Sequence, residues 1–152
     1  VAFPGGIQSN KIKLIAENFH WVHSLCEIKT ATRLNQYRAI NLLPLNVCIQ
    51  INLDEEPNKA GIYLKDLTAF AQSLEKLPYL NLRGLMAIPK KRTEFSAQRD
   101  SFKKLHRAFA ELQQLGFKID TLSMGMSGDF VAAIAEGATC VRIGTAIFGH
   151  RS

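Results

Sequence analysis

From end to end, short β-rich apolar runs alternate with stretches whose apolar residues recur every three or four positions. The runs fall at His20–Leu25, Leu45–Leu53, Leu80–Ile88, Ile119–Met124 and Thr139–Phe148, and Val1–Phe3 reads as the tail of another. The second and last are nearly unbroken and rich in Val and Ile, the pattern of strands covered on both faces. In the longest helical pattern Phe95, Phe102, Leu105, Phe109, Leu112 and Leu115 share one face, and Gly116 stands where the helix should stop. Leu64, Leu67, Phe70, Leu74 and Leu77 repeat that period ahead of Pro78. Gln8–Phe19, Glu27–Ile40 and Asp129–Glu136 complete the set. Every connection is long enough for a crossover, so the alternation predicts an α/β fold with a parallel sheet.

Length narrows the choice. The 152 residues suit one domain, 1–152, with a core large enough to need no disulfide or metal staple. A closed (βα)8 TIM barrel normally takes about 200–250 residues. The expectation is therefore a partial (βα)8 barrel, an open remnant or a fragment of a longer one. An intact five-stranded flavodoxin-like sheet is the competitor. At 47% hydrophobic and 21% charged residues, the composition excludes a disordered tail and a coiled coil. No apolar run approaches the roughly 20 residues of a membrane-crossing helix, and no basic-then-apolar leader opens the chain. Cys26, Cys48 and Cys140 form no closely spaced pair and read as buried reduced thiols of a cytoplasmic protein. With His20, His23, His106 and His150 they make no zinc-like pattern, so no metal is expected.

The net charge of +6 is uneven: residues 81–118 hold nine Lys/Arg against three Asp/Glu. Around Lys90-Lys91-Arg92 and Lys103-Lys104 this reads as a solvated surface. Nucleic acid or an acidic partner is the alternative, without the aromatic interleaving that usually goes with it.

Ligands of parallel α/β folds collect at the carboxyl ends of strands, and barrels often hold a phosphate on the loops after their last two strands. Two segments stand there. Ser123-Met124-Gly125-Met126-Ser127-Gly128-Asp129 runs from a strand through a glycine-bearing turn into a helix start. Its backbone N–H groups and the Ser127 hydroxyl suit an anion, and a plain helix cap by Ser127 or Asp129 is the competing account. In Arg142-Ile143-Gly144-Thr145 an arginine interrupts an apolar strand, which is costly unless the charge is paired or used. Strand alternation puts Arg142 and Gly144 on one face.

Five stretches carry a resemblance: Gln8-Ser9-Asn10-Lys11; Leu45–Asn52 with Glu56-Pro57-Asn58-Lys59-Ala60-Gly61; Leu82-Arg83-Gly84-Leu85-Met86-Ala87-Ile88; Leu122–Asp129; and Val141–Gly149. In this order they resemble the YggS/PROSC family of pyridoxal 5′-phosphate (PLP) homeostasis proteins, relatives of the alanine racemase barrel domain. The resemblance runs over essentially the whole chain from Gln8 onward. It implies an alanine-racemase-type barrel lacking here its first two strands and most of the third, and a PLP-binding protein without turnover of its own. Carried over by position, Ser127, Gly144 and Thr145 would hold the phosphate, with backbone from Gly125 and Met126. Arg142 would face the pyridine nitrogen, and Met86 would pack near the ring or simply fill the core. A permanently charged guanidinium beside that nitrogen opposes its protonation and weakens the ring as an electron sink.

The chain departs from the family in two places. The family's Schiff-base lysine lies upstream of anything in this sequence, so the covalent anchor is expected to be absent. Where the family has a His-x-Ile-Gly-Pro-like strand end, this chain reads Ala2-Phe3-Pro4-Gly5-Gly6-Ile7. Lys59, on a loop after a strand, is either an ordinary exposed lysine or a transient acceptor of the aldehyde. A small racemase-like PLP enzyme is the alternative function, though no Tyr or Cys is convincingly placed as its acid or base. An open barrel leaves two sheet edges and an inner face uncovered, so a homodimer or association with an N-terminal segment is expected.

Overall fold

The computed structural model describes residues 2–3, 5–143 and 146–149. Its strands are β1 (Ala2–Phe3), β2 (Trp21–Leu25), β3 (Leu45–Ile51), β4 (Leu80–Ala87), β5 (Thr121–Met124), β6 (Cys140–Ile143) and β7 (Ala146–Gly149). They lie side by side in sequence order, β1 through β6 all parallel. Helices α1 (Ile12–Asn18), α2 (Ile28–Tyr37), α3 (Leu67–Leu74), α4 (Phe95–Gln114) and α5 (Phe130–Ala135) make the crossovers. Strict sequential order is the barrel's signature, because a doubly wound sheet reverses its order at a switch point. The flavodoxin-like alternative is thereby excluded, and six parallel strands form a half-barrel.

One expectation is corrected. The run Thr139–Phe148 is not one strand: it divides into β6 and β7, which pair antiparallel from Cys140↔Gly149 to Ile143↔Ala146. Only residues 144 and 145, outside the described residues, separate them. A two-residue link allows a strand to double back, whereas a parallel successor needs a crossover of about a dozen residues. An apolar Val/Ile-rich pattern is blind to that distinction.

Alternation along the strands sorts the side chains into two layers. Leu45, Val47, Ile49 and Ile51 of β3 point toward the helices and join the main core with Phe102, Leu105 and Leu112 of α4. Each such buried side chain stabilises the fold by about 1.5–3 kcal/mol relative to exposure. Trp21, Cys48 and Met86 form a second, smaller cluster on the opposite, inner face. The register shifts between Val47 and Cys48, where β3 passes β4. Gly84 sits at this irregularity, and a Cβ there would lie 1.6 Å from the Thr121 carbonyl oxygen. The glycine of the Arg-Gly-Leu-Met-Ala stretch is thus a condition for β5 to approach β4.

A buried arginine ties the first units together. Arg38, only 4% exposed, follows α2. Its Nη1 donates to the carbonyls of Ala16 (2.8 Å) and Phe19 (2.6 Å), and its Nε to that of Leu43 (2.9 Å). Two of these acceptors belong to the C-terminal end of α1, where orphan carbonyls and the helix dipole favour a cation. Burial lowers the pKa of the guanidinium. Among the described residues no helix is long and apolar enough to cross a membrane, and no group of three or more His, Cys, Asp or Glu is placed to hold a metal.

Candidate functional site

The carboxyl end of β5 is shaped by one glycine. Gly125 has φ +106°, a conformation L side chains rarely adopt, and a Cβ there would stand 2.7 Å from Ala133 Cβ and 3.2 Å from Val141 Cγ1. Strand, following helix and next strand are thus drawn together around a position only glycine fits. The Gly125 carbonyl accepts the N–H of Arg142 at 2.8 Å. That bond locks the strand bearing Arg142 to the turn bearing Ser127.

Val141, 9% exposed, belongs to the helix-side core, so alternation places Cys140 and Arg142 on the inner face. Arg142 is half-buried, and among the described residues its guanidinium has neither a carboxylate nor a hydrogen-bond acceptor. Its charge is felt by the neighbouring Cys140. Burial pushes that thiol up, while a hydrogen bond with Ser123 and the Arg142 charge pull the other way, the net remaining upward. Ser123 Oγ also lies 2.9 Å from His23 Nδ1, and the His23 ring sits 5.6 Å from that of Trp21. Met86 is paired in register with Ser123 and is 3% exposed. The inner face below Arg142 is therefore a closed layer of Trp21, His23, Cys48, Met86, Ser123 and Cys140. Cys48, fully buried, has its thiol pKa raised by burial far out of the working range.

The turn itself has one donor already in use. Met126 N–H donates to Asp129 Oδ1 (2.7 Å), and Asp129 N–H donates back to Met126 O (3.0 Å). Asp129 thus closes the turn rather than capping α5 through its side chain. Ser127 and Gly128 stand exposed at the apex. Beside them a cleft of about 400 Å³ opens between the β4–α4 and β5–α5 loops, lined by Ile88, Pro89, Lys91, Arg92 and residues 125–129.

Of the residues singled out from sequence, Gly125, Met126, Ser127 and Arg142 come to one corner through the Gly125–Arg142 backbone bond. Met86 lies on the inner face as part of the packed layer. Gly144 and Thr145 fall outside the described residues. Lys59 is exposed on the loop after β3, where its carbonyl accepts a long bond from Asn52 Nδ2 (3.4 Å). Sequence reasoning missed Asp129 as the partner of Met126 and saw Lys91 and Arg92 as a solvated surface or a patch for nucleic acid or an acidic partner. Their position directly after the end of β4 was the available signal, because strand ends form the rim.

The family model of the alanine racemase N-terminal domain matches residues 2–152. A pyridoxal phosphate homeostasis protein of Pseudomonas aeruginosa is 53% identical over 149 residues, covering 98% of this chain and 64% of that protein. One from Escherichia coli K12 is 51% identical with the same coverage. This chain therefore spans just under two thirds of the length of those curated relatives. Among solved structures, PipY of Synechococcus elongatus with PLP bound superposes with a TM-score of 0.84 at 34% identity, covering 95% of this chain and 68% of PipY.

Proposed function

The chain belongs to the alanine racemase N-terminal domain family, and from that premise we propose that it binds pyridoxal 5′-phosphate at the corner of Ser127 and Arg142 and acts in the homeostasis of that cofactor. The observation that carries the reading is the half-buried guanidinium of Arg142, without a partner among the described residues and tied by its own backbone to the turn that presents Ser127. A charge left unpaired on a strand is destabilising unless a ligand uses it. The donor set fits PLP: a hydroxyl at a glycine-flanked turn for the phosphate, a cation for the pyridine nitrogen, and an apolar floor that includes Met86. When bound, PLP supplies an aldehyde and a conjugated ring that accepts electrons.

In this reading Ser127 and the Gly125–Gly128 turn hold the phosphate, with Gly144 and Thr145 as further contacts. The Arg142 guanidinium would face the pyridine nitrogen and oppose its protonation, so the ring would be held as cargo more than as an electron sink. The His23–Ser123–Cys140 layer fixes the height of Arg142 and excludes water from beneath it. These residues hold the ligand by charge and hydrogen bonds alone. The chain is a carrier without turnover.

Titration with PLP tests this. Weak saturable binding, displaced by inorganic phosphate, is expected, and Arg142→Gln and Ser127→Ala should each raise Kd about tenfold. Binding that is indifferent to both substitutions would overturn the assignment. Racemisation of alanine by the chain would overturn the carrier role.

A further inference from the structure

We propose that Lys91 is a phosphate-binding residue of this chain, reaching from the β4–α4 loop to an anion carried at the Ser127 turn; this rests on the reading that the turn takes a phosphate ester. The cleft beside the turn presents three charged side chains, Lys91, Arg92 and Asp129. Two of them are already engaged. Arg92 Nη2 pairs with Asp54 Oδ1 at 2.9 Å and its Nη1 donates to the Lys90 carbonyl at 2.9 Å. Asp129 accepts the N–H of Met126. Lys91 alone of the three has no ion pair or hydrogen bond among the described residues.

The loop that carries Lys91 is pinned. Asp54 Oδ2 accepts the N–H of Lys90 at 2.6 Å while its other oxygen holds Arg92. Gln98 Nε2 donates to the Arg92 carbonyl (2.7 Å) and to the Gly128 carbonyl (3.2 Å), spanning from one wall of the cleft to the other. With the backbone on both sides fixed, binding need order only the lysine side chain, which keeps the entropic cost small. The cleft, about 400 Å³ and lined by the same turn that presents Ser127, leaves ample room for a phosphate group beside Lys91. An ammonium on a flexible stem is a point charge well matched to a phosphate oxygen.

The test uses the whole chain and three probes: pyridoxine 5′-phosphate, which has no aldehyde to modify lysines, unphosphorylated pyridoxine, and inorganic phosphate. Calorimetry gives Kd, and the Gly128 amide resonance reports on the turn. Lys91→Gln is expected to raise Kd about tenfold for both phosphate probes, to leave pyridoxine unchanged and to flatten the salt dependence. Lys91→Arg should restore most of the affinity. Arg142→Gln should weaken the ring-bearing ester and spare inorganic phosphate. Equal phosphate affinities in Lys91→Gln and the parent chain overturn the role of Lys91 and leave the family reading intact. Lys91-dependent uptake of inorganic phosphate with no uptake of the pyridoxine ester does the reverse. A parent chain that takes up no phosphate species overturns both.

Discussion

Two arginines share the inner face of the half-barrel, and their surroundings differ in kind. Arg83, on β4, donates through Nε (3.0 Å) and Nη2 (2.7 Å) to both oxygens of Asp120 and through Nη1 to Asn46 Oδ1 (3.3 Å). Its guanidinium lies 4.7 Å over the Trp21 ring. Arg142, on β6, has none of this among the described residues. Both interrupt apolar strands and look alike in the sequence. The difference teaches that an arginine's role is read from whether the protein itself satisfies it: Arg83 completes the floor, and Arg142 is the one we propose for a ligand. Arg38, held by three carbonyls, is the extreme of the first kind.

The comparison breaks first at Arg38. Arg38→Met should cost about 3 kcal/mol in chemical denaturation, because it strands the buried carbonyl of Ala16 and the part-buried carbonyls of Phe19 and Leu43. A loss below 1 kcal/mol would show the staple to be idle. Gly125→Ala should cost about 2 kcal/mol through its left-handed φ and its clash with Ala133, and should abolish ligand uptake at the corner. Arg83→Gln should cost only about 0.5–1 kcal/mol, since Asp120 is 57% exposed and water takes over much of the pairing. Arg142→Gln should change stability by less than about 0.5 kcal/mol, or raise it, while binding falls. If Arg142→Gln destabilises more than Arg83→Gln, the distinction between the two arginines fails.

The smallest effect is one of pH. Burial alone would raise the Asp54 carboxyl, but the Lys90 N–H and the Arg92 guanidinium outweigh it and leave the pKa below its ordinary 3.8. A carboxyl lowered on folding adds stability that is complete above its unfolded value and is lost as pH falls through the lower folded one. Acidification below about 4 should therefore loosen the Lys90–Arg92 loop, while the Arg38 staple, whose acceptors do not titrate, holds. Amide hydrogen exchange at Lys90 against pH reads this directly, and Asp54→Asn should abolish the dependence.

The order of strands and helices was legible because strands covered on both faces and one-sided helices leave different periods in the chain. The hairpin of β6 and β7 was not, because Val and Ile fill either pairing equally well. Ser127 and Arg142 could be singled out as candidates, and their shared corner foreseen, because a turn after a strand and a charge within one are local signals. The bond between Met126 and Asp129 spans three residues but looks the same in sequence as a helix cap. The partners of Arg83 are hidden for another reason: Asn46 and Asp120 lie 37 positions away on either side, and only the parallel register brings them together. Gly84 stands out as a motif residue in the sequence, yet its reason, the approach of Thr121, exists only between strands.

Gln98 has a consequence for selectivity. Because one amide touches both loops, its reach acts as a gauge for what fits between them. Shortening it by one methylene, as in Gln98→Asn, would release the Arg92 and Gly128 carbonyls and uncouple the loops while leaving the side chains of Ser127, Arg142 and Lys91 unchanged. The chain would then be expected to accept bulkier phosphate esters, with discrimination by size lost before affinity.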